Sequence, residues 1–277
     1  SSMQDLTGLL NRPEPLVMGI LNVTPDSFSD GGVHAGVDLA LSSALKMVEQ
    51  GADIIDVGGE STRPGAAAVS ATQELDRVIP VIEKIKCHSA VPISVDTSSP
   101  EVMSEAASVG IAMINDVRAL SRQGAMEIVA AHHLHACLMH MQGQPGSMQD
   151  NPRYNDLVDD INLFFEKAVQ RCCLAGISRD RLILDPGFGF GKTYQHNLTL
   201  INRLAEFNVH ELPVMVGLSR KSTLSRIADD VIAGSVGGNI MAFLAGAKIL
   251  RVHDVEQTLS ALRVVREILR SGEEDEN

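Results

Sequence analysis

Eight short apolar runs in this chain each stop at a polar side chain, and these ends hold most of the residues able to do chemistry. The first run stops at Asn22. The second stops at Asp56, ahead of Gly58-Gly59-Glu60-Ser61-Thr62-Arg63-Pro64-Gly65. The third ends in Asp96-Thr97, the fourth in Asn115-Asp116 and the fifth in His140. The sixth ends in Asp185-Pro186-Gly187-Phe188-Gly189-Phe190-Gly191-Lys192, the seventh in Ser219-Arg220-Lys221-Ser222 and the eighth in Arg251-Val252-His253-Asp254. Taken singly, each has a structural reading: an Asp after a strand is often a helix N-cap, and Asn115 or His140 can satisfy buried backbone groups. Polar side chains at every end are harder to explain that way. Arg63, Lys221, Arg251 and His253 are donors able to surround a diphosphate, with Arg suited to bidentate oxygen contacts and Lys to a point charge. Asp96, Asn115 and Asp185 supply acceptors and an amide that can read the edge of a flat, nitrogen-rich ring. Buried carboxylates facing such donors would stay ionised. The set implies an anionic leaving group on a polar heterocycle and leaves the heterocycle unnamed.

Other motifs carry less. Gly187–Lys192 lacks both the Walker spacing and the Rossmann Gly-x-Gly-x-x-Gly pattern, so its glycines read as tight turns beside a ligand. The stretches 22–32 and 62–65 read as loops over the mouth of the site, with ordinary surface turns as the alternative. His132-His133-Leu134-His135 precedes the fifth run, on the side away from the site, and reads as exposed surface. Cys87, Cys137, Cys172 and Cys173 lack zinc-site spacing and read as buried free thiols of a reducing compartment. A net charge of −12 and only 3% aromatic residues argue against nucleic-acid and anionic-membrane partners. No run is long enough to span a bilayer and no signal-peptide pattern opens the chain, which points to the cytoplasm. Residues 1–15 read as an N-terminal extension, with Ser1-Ser2 a vector remnant before Met3; residues 16–271 read as one domain, and 272–277 as a frayed acidic tail.

The elements that must position these ends follow from periodicity. Val17–Leu21, Asp53–Val57, Pro92–Asp96, Ala112–Asn115, Ala136–His140, Leu182–Asp185, Val214–Leu218 and Lys248–Val252 read as parallel strands buried on both faces. Helical stripes lie between them: Val37, Leu41, Leu45 and Val48; Leu75, Val78, Ile79, Ile82 and Ile85; Val102, Met103 and Ala106 behind a Ser99 cap and Pro100. Leu157 to Cys172, Leu198 to Leu204 and Val255 to Leu269 continue the series, with weaker patterns at Ala125–Ala131 and Ile240–Leu244. Eight strand–helix units predict a single-domain α/β fold, a closed (β/α)8 TIM barrel with its site at the carboxyl ends of the strands; a doubly wound open sheet is the alternative.

Over nearly its whole length the chain resembles the dihydropteroate synthases, a pterin-binding enzyme family. The resemblance is carried by Met18–Gly32, Asp56–Gly65, Ser94–Thr97, Asn115-Asp116, Leu138–Met141, Asp185–Lys192, Ser219–Ser222 and Arg251–Asp254, in family order. It implies a transferase of folate biosynthesis that joins 6-hydroxymethyl-7,8-dihydropterin diphosphate to 4-aminobenzoate, with diphosphate leaving. Asp96, Asn115, Asp185 and Lys221 would hold the pterin. Asn22 would bind Mg2+ with the diphosphate, which Arg63, Arg251 and His253 would also contact. Thr62, Pro64, Phe190, Lys221 and Ser222 would form the aminobenzoate pocket that sulfonamides compete for, with Phe28 near it. The family also implies a homodimer. The chemistry needs no dedicated general base. A methyltetrahydrofolate-carrying barrel would share the ring-reading residues but would not need Arg63, Arg251 and His253; an inactive homologue would not retain the full set. Between Ser222 and Arg251 the chain is a few residues shorter than the family pattern, and Gly234, Gly237 and Gly238 weaken the helical signal there.

Overall fold

A computed structural model describes residues 5–23, 32–61, 67–143, 148 and 151–274. It contains eight parallel strands: β1 (Leu16–Asn22), β2 (Ile54–Gly58), β3 (Ile93–Asp96), β4 (Met113–Asp116), β5 (His135–Met139), β6 (Leu182–Asp185), β7 (Met215–Val216) and β8 (Ile249–Val252). They are ordered β6-β5-β4-β3-β2-β1-β8-β7. A parallel bridge between Leu184 and Val214 brings β6 to β7 and closes the ring. The barrel expectation holds.

The outer helices are α1 (Leu6–Leu10), α2 (Gly32–Glu49), α3 (Ala71–His88), α4 (Pro100–Val109), α5 (Ala125–Ala131), α6 (Leu157–Leu174), α7 (Tyr194–Asn202), α8 (Ser222–Ser225), α9 (Val231–Leu244) and α10 (Val255–Glu274). Their starts are written locally. Ser70 and Gln73 form a capping box on α3, Ser99 caps α4 with Pro100 in its first turn, and Thr193 caps α7. The large core lies between strands and helices, from Val17 and Val57 to Ile82, Phe165 and Leu250.

A second core fills the barrel itself. Met18, Ile54, Met113, Cys137, Ile183, Met215 and Ile249 point inward from the strand starts, and Leu6 and Leu9 of α1 close over them from below. Strand side chains alternate, so the next inward residues lie two positions on. From Ile54 that step reaches Asp56, from Met113 Asn115, from Ile183 Asp185 and from Ile249 Arg251. One step up the strands thus turns an apolar plug into a polar floor.

Strand limits fall within a residue of expectation except at β7, where Val214–Leu218 contracts to Met215–Val216 because β6 offers it only one bridge. The weak helical signal after Ser222 is overturned: α9 runs unbroken through Gly234, Gly237 and Gly238. A Cβ on Gly238 would stand 3.1 Å from Leu218, so close approach of the helix to the segment after β7 explains that residue against its poor propensity. His135 is not exposed surface. It is 2% exposed at the start of β5, with Nε2 3.4 Å from Thr7 Oγ1 of α1. Cys137 and Cys172 are buried as expected, but Cys87 and Cys173 are exposed. Helix α10 continues to Glu274, so the acidic tail begins as helix where a frayed end was expected.

Candidate active site at the carboxyl ends of the strands

The polar floor is organised by Asp56, a residue to which the sequence reading gave no role. It is 1% exposed, and its Oδ2 accepts from Arg251 Nε at 2.8 Å and from Asn115 Nδ2 at 3.2 Å. Arg251 also donates to Asp96 Oδ2 at 3.3 Å, so one guanidinium joins β8 to β2 and β3. The other Asp56 oxygen is buried and has no hydrogen-bond partner among the described residues. The signal for Asp56 was available: an acid two residues after an inward-facing Ile, in a strand otherwise apolar throughout.

Burial, reinforced by Asp56, pushes the Asp96 carboxyl up to about 8, with Arg251 pulling the other way. Burial also raises Asp185, opposed by the Gly187 N–H and by Lys221, Arg251 and Lys192. Arg251 ends above its ordinary value, because Asp56 and Asp96 outweigh the cost of burying it. Burial thus weakens the charged form of Asp96 and Asp185, and hydrogen-bond donors placed against them favour it. Asn22, Gly58, Asp96 and Asn115 are successive register partners along the strand ends, which sets the exposed Asn22 in the same row as the buried acceptors.

The loop after β6 forms one wall. Gly187 has φ +78° and donates its N–H to Asp185 Oδ1 at 2.8 Å. A Cβ there would lie 1.9 Å from the His140 carbonyl, so the position demands glycine. Lys221 donates to the Phe188 carbonyl at 2.6 Å and holds its ammonium 4.5 Å from the centre of the Phe190 ring. Burial brings Lys221 down to about 7 against the pull of Asp185. Asn197 accepts from the Gly189 N–H at 2.8 Å and donates to Thr223 Oγ1 at 3.1 Å, tying the loop to α8. Behind it, buried Lys192 lies 3.0 Å from His140 Nδ1 and donates to the Phe190 carbonyl at 2.9 Å. No local signal in the sequence joins Lys192 to His140.

The rim is more open. The Ser219 hydroxyl accepts from the His253 backbone N–H at 3.2 Å and lies 2.9 Å from His253 Nδ1. Arg220, at φ +57°, makes a bidentate pair with Asp254 at 2.6 and 3.1 Å. Ser222 is exposed at the start of α8. The structure therefore brings together Asp96, Asn115, Asp185, Lys221, Arg251 and Phe190, and sets Asn22, His253 and Ser222 around them. Thr62, Arg63, Pro64 and Phe28 lie outside the described residues.

A buried layer of acceptors beside one lysine ammonium, rimmed by donors, can hold a polar ring edge-on and face a departing anion. Comparison with known proteins agrees with that chemistry. Residues 18–253 match the family model described as pterin binding enzyme. The dihydropteroate synthase of Escherichia coli K12 is 52% identical over 268 residues, covering 95% of each chain. A crystal structure of the Yersinia pestis dihydropteroate synthase with a sulfonamide drug complex superposes with a TM-score of 0.88 at 51% identity, covering 95% of this chain and 96% of that one. The Xanthomonas albilineans dihydropteroate synthase with 4-aminobenzoic acid gives the same TM-score at 46% identity, covering 94% of each.

Proposed function

We propose a division of labour among the site residues on the premise that this chain belongs to the pterin binding enzyme family and, within it, to the dihydropteroate synthases. It is a transferase of folate biosynthesis, condensing 6-hydroxymethyl-7,8-dihydropterin diphosphate with 4-aminobenzoate to 7,8-dihydropteroate and diphosphate.

Asp96, Asn115 and Asp185 take the amino and N–H edge of the pterin, and Lys221 donates to its acceptors. The observation that supports this reading is the buried row at the strand ends, with Asp96 and Asp185 raised towards protonation and Asn115 held beside them on Asp56. The C–O bond of the hydroxymethyl group breaks, its electron pair leaves with the diphosphate, and the ring spreads the positive charge left on the methylene carbon. The 4-aminobenzoate nitrogen then attacks that carbon, and its proton passes to solvent. Arg63, Arg251 and His253 stabilise the leaving charge, and Thr62, Pro64, Phe190, Lys221 and Ser222 hold the aminobenzoate. Asn22 offers an exposed amide oxygen of the hard kind Mg2+ takes, and would hold the ion together with substrate phosphates, as Mg2+ commonly binds through few protein ligands. When bound, Mg2+ would neutralise charge developing on the diphosphate.

The dimer is supported by apolar residues exposed on the last helices, with Met241 54%, Leu244 53%, Val264 61% and Ile268 67% exposed. Free cysteines and the absence, among the described residues, of any helix long and apolar enough to cross a membrane are consistent with a cytoplasmic enzyme.

The test is diphosphate release from the pterin substrate with Mg2+, with and without 4-aminobenzoate. Release that yields dihydropteroate and collapses in Lys221→Ala or Arg251→Ala supports the assignments. Wild-type rates in both variants would refute them.

A further inference from the structure

Burying an ammonium costs stability unless it is paired, so a lysine 2% exposed calls for a reason. Lys192 has direct partners that are both neutral: the Phe190 carbonyl at 2.9 Å and His140 Nδ1 at 3.0 Å. His140 is kept uncharged by burial first and by Lys192 second. The fold makes room for this arrangement. At Gly187 a Cβ would stand 3.1 Å from Lys192 Nζ as well as against the His140 carbonyl, and at Gly191 it would meet the Gln142 carbonyl at 2.5 Å. The loop is thus pressed onto the residues just after β5 at two glycines, with the Lys192 ammonium beside the first.

The two lysines hold the loop at two carbonyls, those of Phe188 and Phe190. Lys221 takes the Phe188 carbonyl and one face of the Phe190 ring; Lys192 takes the Phe190 carbonyl from within. A ring contacted on one face alone could shift with its backbone, and the second grip, on that backbone, removes the freedom. Lys192 Nζ is committed to protein groups, so its action on a substrate is indirect.

We propose that Lys192 is a positioning residue of the synthase: by tying the Phe190 carbonyl to His140 it fixes the Phe190 ring as a wall of the aminobenzoate pocket, a role that rests on the assignment of Phe190 to that pocket.

The test is steady-state kinetics of the full chain carrying Lys192→Met, which keeps length and bulk but cannot donate. The variant folds by circular dichroism, its KM for 4-aminobenzoate rises about tenfold, and kcat and the KM for the pterin diphosphate change less than about threefold. A filler role would lower the melting temperature and leave both KM values at wild type, and that result overturns the proposal. Phe190→Leu separates the two levels of inference. If Phe190→Leu raises the aminobenzoate KM and Lys192→Met does not, the positioning role alone falls; if Phe190→Leu leaves it unchanged, the pocket assignment falls and takes the proposal with it. Should Lys192→Met not fold, His140→Leu removes the other end of the tie and must shift the same KM in the same direction; an unchanged value refutes the role.

Discussion

Asp56 is where the floor of the site is most exposed to a single substitution. In Asp56→Ala, Arg251 Nε loses its 2.8 Å acceptor and Asn115 Nδ2 its 3.2 Å acceptor, in a place water reaches poorly. Each buried donor left unpaired costs about 1–3 kcal/mol, and breaking a buried ion pair from one side about 3–5 kcal/mol in all. Arg251 keeps Asp96 at 3.3 Å, which places the expected loss near the low end, about 3 kcal/mol. For a chain of this size that is a fall in melting temperature of roughly 6–12 °C. Asp56→Asn preserves one acceptor and removes the repulsion between Asp56 and Asp96, so its cost is about 1 kcal/mol or less. The two variants separate geometry from charge. Asp96 also loses a neighbour that raises it, so in Asp56→Asn it ionises at lower pH and the acid limb of the kcat/KM profile moves down. Urea denaturation and pH-dependent kinetics read both effects. Equal stability losses in the two variants, or an acid limb that moves upward, would refute the reasoning.

Three further outcomes are expected. Lys192 and Lys221 are each brought to about 7 in the folded protein, below the ordinary lysine value, so between about 7 and 10 the unfolded chain binds more protons and stability rises with pH; in Lys192→Met, urea titrations at pH 7, 8 and 9 show a flatter rise. Gly187→Ala sets a Cβ 1.9 Å from the His140 carbonyl at a φ of +78°, and a loss of about 3 kcal/mol or more, with collapse of dihydropteroate formation, is measurable by denaturation and assay. Leu6→Ala in α1 empties a side chain 1% exposed beneath the barrel; it costs about 2–4 kcal/mol in denaturation and leaves kcat/KM of the folded enzyme unchanged.

The barrel was legible because strands buried on both faces write continuous apolar runs, and because helix starts such as Ser99-Pro100 are local signals. The gathering of Asp96, Asn115, Asp185, Lys221 and Arg251 was legible for a related reason: a parallel barrel brings every strand end to one mouth, so sequence position alone implies proximity. What escaped the sequence is pairwise. Nothing local says that Asp56 will take the guanidinium of Arg251, nearly two hundred positions away, or that Lys192 will turn inward to His140. The first half of helix α9, before the pattern at Ile240–Leu244, escaped because glycine propensity is a local average, whereas the approach of Gly238 to Leu218 is a tertiary fact. His135 was misplaced because α1, five residues long, is too short to announce itself by period and yet covers the end of the barrel where that ring lies.

The meeting of β6 and β7 has a consequence of its own. Elsewhere the ring is stitched by runs of paired residues, while here a single bridge at Leu184 and Val214 joins the two sides. Just above it, the join is made by side chains of the site: Lys221 reaching the Phe188 carbonyl, and Asn197 reaching both Gly189 and Thr223. A substrate lying between Asp185 and Lys221 would therefore act as a rivet across the thinnest part of the hoop. Occupancy and mechanical integrity become one quantity, and amides flanking this join, rather than those of β1 to β5, are where slow hydrogen exchange should respond most to a bound pterin.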